Sequence, residues 1–550
     1  MIVEVKFKTL YEAFRANVDE VPDNAFLCVP AGLDYCPDGL ELTYAETARE
    51  VAGLMQVYRQ AGFRPGHRVA LLLESRPIHF MHFLALNGLG VSQVPINPDL
   101  QPGELQHQLA HSECDLMVCL NAHLRKAHAG ADALKVPVVD AESVPFAVPH
   151  VTSTRPPIDA NGSAEAALLY TSGTTGKPKA CVISNYFLLH MGQRNLVTGL
   201  NPSSVVTYEI GKERMMHHLP VHHLAGGGQP FATTMMIRGC LILSGRFSAR
   251  RWWQDVVSTR ATILFYMGMV PMALMNQPVC VEETQHKVKI GLGVGIDPAK
   301  HAEFERRFGF PHVEGWGMTE ISGGMTLHEE PRRVGERAMG RLNEELEARI
   351  VDDKDNDVSP GMPGQLLVRS ADADPRKIFF AGYLKDEDAT EEAWKDGWFH
   401  TGDVVRMEPD GVFFFVDRLK NIIRRSGENI AAAEVESALA MDAAIEIAAV
   451  IAVPDALRGE EVYACVVLKD QKDMTLAEQM VFAEQLFERC AERLSYHKVP
   501  GWMRFVSALP KTATEKVKRN DLFSAGVDPR TVHDVFDLRH LKSKSQRKAI

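Results

Sequence analysis

The first half of the chain alternates short apolar runs with longer amphipathic stretches, and few folds accept that alternation. Residues 44–61 read as a helix, with Leu54, Val57 and Tyr58 spaced to share one face. Residues 68–73 read as a strand, 78–89 as an apolar helix, 91–96 as a second strand and 114–119 as a third. Strands and helices in this order imply parallel sheets covered by helices. With 550 residues the chain also exceeds what one core serves. Around residues 347–351 and 364–369 the strands shorten and Pro and Gly turns separate them, which predicts a hairpin-rich β region. Past Asp417-Arg418-Leu419-Lys420 the pattern changes again. Residues 432–439 and 476–494 read as helices, and 447–453 and 463–468 as strands, an α+β unit of ordinary domain size. The expected fold class is therefore α/β. Residues 1–418 are expected to form a large N-terminal domain of two parallel-type α/β subdomains plus a β-rich subdomain, residues 419–525 a small α+β C-terminal domain, and residues 526–550 a tail.

One loop carries chemistry on its face. The apolar run Ala166-Ala167-Leu168-Leu169 is followed by Tyr170-Thr171-Ser172-Gly173-Thr174-Thr175-Gly176-Lys177-Pro178-Lys179. Glycines let backbone N–H groups turn toward an anion, and the hydroxyls and ammonium groups add donors, so the run reads as a phosphate loop. It is not a Walker A loop. That pattern needs glycine where Thr171 stands and Ser or Thr where Pro178 stands.

Composition bounds what else the chain does. Hydrophobic content of 45% and charged content of 24% are ordinary for a soluble globular protein. A net charge of −11 argues against bulk binding to nucleic acid or anionic membrane. Nine scattered cysteines without C-x-x-C spacing suit a reducing, cytoplasmic setting, and Cys181 reads as a small buried residue. The first residues lack a signal-peptide pattern. The uncharged window 261–281 contains Pro271, Asn276, Gln277 and Pro278 and reads as a buried strand plus a helix start rather than a membrane span. The basic stretch from Leu541 to Lys548 reads as a frayed, solvated end.

Further runs accompany the loop: Leu219-Pro220-Val221-His222-His223-Leu224-Ala225-Gly226-Gly227-Gly228, Gly315-Trp316-Gly317-Met318-Thr319-Glu320, Trp398-Phe399-His400-Thr401-Gly402-Asp403, the segment from Asp417 through Ser426-Gly427-Glu428-Asn429-Ile430, and Leu509-Pro510-Lys511-Thr512-Ala513-Thr514-Glu515-Lys516. Together they supply what a nucleotide needs. An aromatic stacks on a base, a carboxylate accepts ribose hydroxyls, and another carboxylate holds Mg²⁺, which favours one or two carboxylates plus phosphate oxygens. The histidines His217, His218, His222 and His223 lack the Cys or carboxylate that would complete a metal set at usual spacing.

With these motifs in order from about Thr43 to about Leu522, the chain resembles the adenylate-forming superfamily of acyl-CoA synthetases, peptide-synthetase adenylation domains and luciferases. The run from Arg424 to Ile430 is similar to that of the crotonobetaine/carnitine–CoA ligase branch. The resemblance implies an ATP-dependent ligase. A carboxylate attacks the α-phosphate of ATP, giving an acyl-adenylate and pyrophosphate, and the thiol of coenzyme A then releases AMP. It also implies roles. Thr171, Ser172, Gly173, Thr174, Thr175, Gly176 and Lys177 would hold phosphates. Trp316 with Gly317 would meet adenine, Thr319 the α-phosphate and Glu320 the Mg²⁺. Asp403 and Arg418 would bind ribose, and Lys516 would bridge the substrate carboxylate and the α-phosphate. His223 would gate the carboxylate and, with Tyr266, Met269, Gly293, Val294, Gly295, Met318 and Gly323, line the acyl pocket. Lys420 would be the hinge of a mobile C-terminal domain, and Ser426, Gly427 and Glu428 would face the thioester step. Glu515 stands where the family has glycine, a stiffer and more acidic neighbour for Lys516.

The expected partners are a small carboxylate, ATP and coenzyme A, with no nucleic acid and no integral membrane association. No aspartate lies between Leu219 and Phe231 to hold an α-ammonium, which argues against an amino-acid substrate. Two alternatives stay open: a stand-alone adenylating enzyme that loads a carrier protein, and a non-catalytic nucleotide-binding relative. Lys516, Glu320 and Asp403 speak against the second.

Overall fold

The computed structural model describes residues 3–155, 161–171, 178–267, 269–425, 428–469, 474–512, 516–524 and 526–542. The chain divides into two compact units, Met1–Ala348 with Val368–Phe399, and Arg349–Leu367 with His400–Ile550.

The first unit holds the expected parallel sheets. One sheet runs in the order Val138–Asp140, Leu116–Cys119, Arg68–Leu72, Ser92–Pro95, Glu165–Thr171, Lys179–Ser184. Its neighbours are parallel until the last pair, which is antiparallel. The strands Leu116–Cys119 and Ser92–Pro95 are buried along their whole length, as sheets covered on both faces require. A second sheet places His312–Trp316, Ile290–Val294, Ile263–Met267, Arg214–His217, Cys240–Leu243 and Ala25–Val29 side by side and parallel. The uncharged window around residue 261 is thus a central strand followed by the helix Met269–Met275. Among the described residues no helix is long and apolar enough to cross a membrane.

Local chemistry explains where the helices start. Thr43 and Glu46 form a capping box, with Thr43 N–H donating to Glu46 Oε2 at 2.9 Å and Glu46 N–H to Thr43 Oγ1 at 3.1 Å, so the helix Tyr44–Gln60 begins there. Thr475 and Glu478 do the same for Leu476–Ala491. Pro77 opens the helix Pro77–Asn87, where its missing N–H costs nothing.

The hairpin-rich region ends in the strands Trp398–Met407 and Val412–Arg418, which pair antiparallel. A further sheet follows the order Glu428–Ala431, Ile422–Arg425, Gly459–Leu468, Trp502–Phe505, Val535–Asp537, with Ile445–Asp455 also on Gly459–Leu468. The helices Ala432–Ala440 and Leu476–Ala491 contribute Val435, Leu439, Leu486 and Phe487 to one core beneath it. One expectation is corrected here. The stretch read as a solvated basic end begins inside the fold. Residues 541 and 542 are helical, and Lys542 is only 4% exposed because a buried carboxylate, Glu461, receives its ammonium at 2.6 Å.

Candidate active site

The phosphate loop grows out of a hairpin. Glu165–Thr171 pairs antiparallel with Lys179–Ser184, Thr171 opposite Lys179, and Thr171 Oγ1 donates to Lys179 O at 3.4 Å. A Walker loop would lead from strand to helix; here the chain returns as a strand, which is why that pattern fails. Ser172, Gly173, Thr174, Thr175, Gly176 and Lys177 lie outside the described residues. The returning strand runs into Ser184, whose hydroxyl accepts from Phe187 N–H and caps the helix Asn185–Leu200.

A segment the sequence reading passed over, residues 378–384, ties this hairpin to the Trp316–Glu320 run. Ala381 and Leu384 donate backbone N–H to Val182 O and Ala180 O, Val182 donates to Gly382 O, and Phe380 donates to Glu320 O. Tyr383 completes the tie with its side chain. Its hydroxyl donates to Glu320 Oε1 at 2.9 Å, and the Lys179 ammonium sits 4.9 Å from the ring centroid. Burial first, and then the Glu320 charge, push the Tyr383 hydroxyl well above its ordinary value, so it stays a donor. Cys181 behaves as expected, buried and with its thiol raised far out of the reactive range by burial. Tyr383 carried no motif signal, because an isolated tyrosine gains meaning only from the carboxylate beside it.

Trp316 ends the strand His312–Trp316 and is 8% exposed. The chain then turns so tightly that a Cβ at Gly324 would lie 2.2 Å from Trp316 O. Gly317 is exposed, with nothing within 4 Å of where its Cβ would stand, so backbone is open to a ligand there. Thr319 and Met318 are half-buried in the turn, and Glu320 is buried. Ser322 pins the turn, its N–H and hydroxyl both reaching Ile378 O at 2.9 Å. Gly323 is packed against Ile378 and Arg194.

His223 stands at the mouth of the turn Leu224–Gly228, where its carbonyl accepts from Gly226 and Gly227 N–H at 2.9 and 2.8 Å. Only glycine fits this reversal. A Cβ at Gly226 would come 2.2 Å from Pro220 O, and one at Gly227 2.1 Å from Val221 O. His222 is buried beside it, ring centroids 4.4 Å apart, as a packing residue. Among the described residues no group of three or more His, Cys, Asp and Glu is placed to hold a metal.

The acyl-pocket expectations separate. Val294 and Gly295 are exposed at the end of their strand, where Glu314 accepts from Gly295 N–H at 2.9 Å. Gly293 is buried against Tyr266 and His312. Tyr266 is a core residue instead of an open wall. It is fully buried, its hydroxyl lies 3.0 Å from His312 Nδ1, and its ring packs among Trp252 and Phe304. Both faces of its strand are covered, so either direction buries it. The Met269 side chain lies outside the described residues.

Within the second unit, the register of the hairpin sets Asp403 opposite Arg418, and Arg418 Nε meets Asp403 Oδ1 at 2.7 Å. Asp403 is wholly buried, whereas the Arg418 side chain is 41% exposed. Lys516 belongs to a turn in which Thr512 N–H donates to Lys516 O at 2.7 Å and Lys516 N–H to Thr512 Oγ1 at 3.1 Å. The residue is exposed, yet desolvation of its ammonium first and then the Arg418 charge lower its pKa, while the Asp403 charge opposes them. Glu515 lies outside the described residues. Asp417, which carried no expected role, caps the next helix through Ala433 N–H at 2.7 Å. Lys420 falls in the short helical turn Leu419–Asn421, and its side chain is not described. Ser426 and Gly427 are outside the described residues, as is the Glu428 side chain on the strand Glu428–Ala431.

Residues 14–384 match the family model for AMP-binding enzymes, and residues 434–516 match that for the AMP-binding enzyme C-terminal domain. The chain belongs to the AMP-binding enzyme family. It is 30% identical to a sulfoacetate–CoA ligase of Cupriavidus necator over 94% of this chain and 98% of the relative. It is 28% identical to a crotonobetaine/carnitine–CoA ligase of Proteus mirabilis over 88% of this chain and 93% of the relative, in keeping with the resemblance of the run from Arg424 to Ile430. Among solved structures, an o-succinylbenzoate CoA synthetase of Bacillus subtilis bound to its acyl-adenylate superposes with a TM-score of 0.77 at 24% identity, covering 93% of this chain and 98% of that one, and so shares the fold. In this AMP-binding enzyme, Glu320 suits a hard cation that takes its remaining ligands from phosphate oxygens and water: it is a single buried carboxylate held by a tyrosine donor.

Proposed function

We propose that this AMP-binding enzyme is an ATP-dependent carboxylate–CoA ligase acting through an acyl-AMP. The observation that carries the reading is the Lys179–Tyr383–Glu320 arrangement, which joins a phosphate-type hairpin to a segment bearing an aromatic, a hydroxyl and a carboxylate. The curated relatives being CoA ligases supports the choice of acceptor.

In the first half-reaction a carboxylate oxygen attacks the α-phosphorus, and the bond to the bridging oxygen of pyrophosphate breaks. Thr171 and the run Ser172 to Lys177 hold the leaving pyrophosphate, Trp316 and Gly317 meet adenine, and Thr319 donates to the α-phosphate. Glu320, oriented by Tyr383, would hold the Mg²⁺ that accompanies ATP, which when bound would supply neutralisation of phosphate charge. Asp403 accepts from ribose hydroxyls, with Arg418 fixing its orientation. Lys516 places its positive charge between two anions that must approach each other. In the second half-reaction the CoA sulfur attacks the acyl carbonyl, AMP leaves, and Ser426, Gly427 and Glu428 face the thiol after the domain pivots at Lys420. His223, Met318, Gly323, Gly293, Val294 and Gly295 shape the acyl end. The substrate is a small carboxylic acid, and the nine free cysteines suit a cytoplasmic location.

The experiment is a panel of carboxylic acids assayed twice, for acid-dependent exchange of pyrophosphate into ATP and for AMP release that requires free CoA. Exchange and CoA-dependent release with the same acid is the expected result. Exchange with AMP release only onto a carrier protein would replace CoA as acceptor, and no exchange with any acid would remove the enzymatic reading.

A further inference from the structure

Three charged side chains far apart in sequence are buried together in the second unit. Glu461, 1% exposed, accepts from Arg425 Nε with both carboxylate oxygens at 2.9 Å. Its Oε1 also receives the Lys542 ammonium at 2.6 Å and Val462 N–H at 2.9 Å. Lys542 additionally donates to His497 O at 3.3 Å. Gly501 walls the carboxylate in; a Cβ there would come within 2.6 Å of Glu461 Cδ. The lysine is delivered by the strand Val535–Asp537 and by Leu538 N–H, which donates to Gly501 O.

Burying three charges is poor value as a source of stability, and its better-attested use is to specify one arrangement over another. The strand ending at Arg425 needs such a device. Its sequence, Ile422-Ile423-Arg424-Arg425, repeats each residue, so a slip that brings Ile422 and Arg424 to the inward places of Ile423 and Arg425 still sets an isoleucine and an arginine there, and only the exposure of Ile423 opposes it. Arg424 faces solvent, whereas Arg425 faces inward and donates to Glu461. Arg425 immediately precedes Ser426 and Gly427, the residues assigned above to the CoA half-reaction.

We propose that the Arg425–Glu461–Lys542 triad sets the register of this hairpin, making Lys542 a positioning residue for thioester formation. The inference rests on the ligase reading for its functional half, and on the hairpin geometry alone for its structural half. The test is Lys542→Met in the full chain, which removes the ammonium that holds Glu461 Oε1 in place to receive Arg425. The expected result is pyrophosphate exchange within about twofold of wild type, at least a tenfold loss in the rate of acyl transfer from supplied acyl-AMP to CoA, and most of that loss restored by Lys542→Arg. Amide hydrogen exchange over residues 422–431 should rise in Lys542→Met while that of the helix Leu476–Ala491 stays unchanged. Equal loss of both half-reactions, or wild-type exchange over 422–431, would overturn the proposal. A wild-type protein without any pyrophosphate exchange would sink the ligase reading instead, and the amide exchange would still decide the register. If Lys542→Met fails to fold, replacing Arg425, Glu461 and Lys542 together by leucine removes the buried charge altogether; a folded triple variant with undiminished acyl transfer would also overturn it.

Discussion

His79, His82, His217 and His222 are pushed down to about 3 and His218 to about 4, in each case by burial first. In the unfolded chain such rings titrate near 6.5. Below that pH the unfolded state binds more protons than the folded one, so the stability these rings permit is complete above about 6.5 and is lost as the pH falls toward the folded values. Each ring adds a slope of up to about 1.4 kcal/mol per pH unit. The urea midpoint should therefore drop steeply between pH 7 and pH 5, and His79→Leu should flatten that dependence; a slope identical to wild type would show that His79 does not titrate on unfolding. Tyr383→Phe removes the donor that orients Glu320, for which a loss of about 10–100-fold in adenylation rate and a raised Mg²⁺ requirement are expected. An unchanged Mg²⁺ dependence would dissociate the tyrosine from the metal. Lys516→Ala should depress adenylation by about 10²-fold or more while leaving CoA acylation from supplied acyl-AMP near wild type. Parallel loss of both steps would count against assigning the lysine to the first.

Glycines mark where elements are forced together. Gly227→Ala would drive a methyl group into Val221 O, and a cost of about 1–3 kcal/mol in unfolding free energy is expected, with His223 displaced. Gly103, near the start of the helix Pro102–Ser112, has nothing within 4 Å of its missing Cβ, so Gly103→Ala should be neutral or stabilise by about 0.5–1 kcal/mol. Calorimetry of the pair separates crowding from chain entropy; similar melting temperatures for the two variants would contradict the geometry. Strand and helix positions were legible because apolar period and capping residues are local: residues 68–73 became Arg68–Leu72, and 476–494 became Leu476–Ala491. The hairpin form of the phosphate loop was not, since direction of return depends on which strand edge is free. Nor was the burial of Tyr266, whose apolar run Ile263–Met267 points residues alternately to two covered faces.

For the molecule as a whole, the ligase reading requires two chemistries to share one set of substrates. Lys420 sits in the turn Leu419–Asn421, and proline there removes a backbone donor and fixes φ. Lys420→Pro should depress one half-reaction at least tenfold while leaving the other largely intact, as separate measurements of pyrophosphate exchange and acyl transfer would read; two unchanged rates would refute the hinge. The linear order of residues was enough for the α/β class, the phosphate-type run and the companion motifs, because the class shows in a repeated strand–helix alternation and each motif is encoded within about a dozen neighbouring positions. Three things needed the folded chain: the tyrosine beside Glu320, the ion pair of Asp403 with Arg418, and the inclusion of Lys542 in a buried triad. Each joins residues whose separation along the chain carries no periodic or local signal, and the pairing becomes favourable only once packing removes water from both partners.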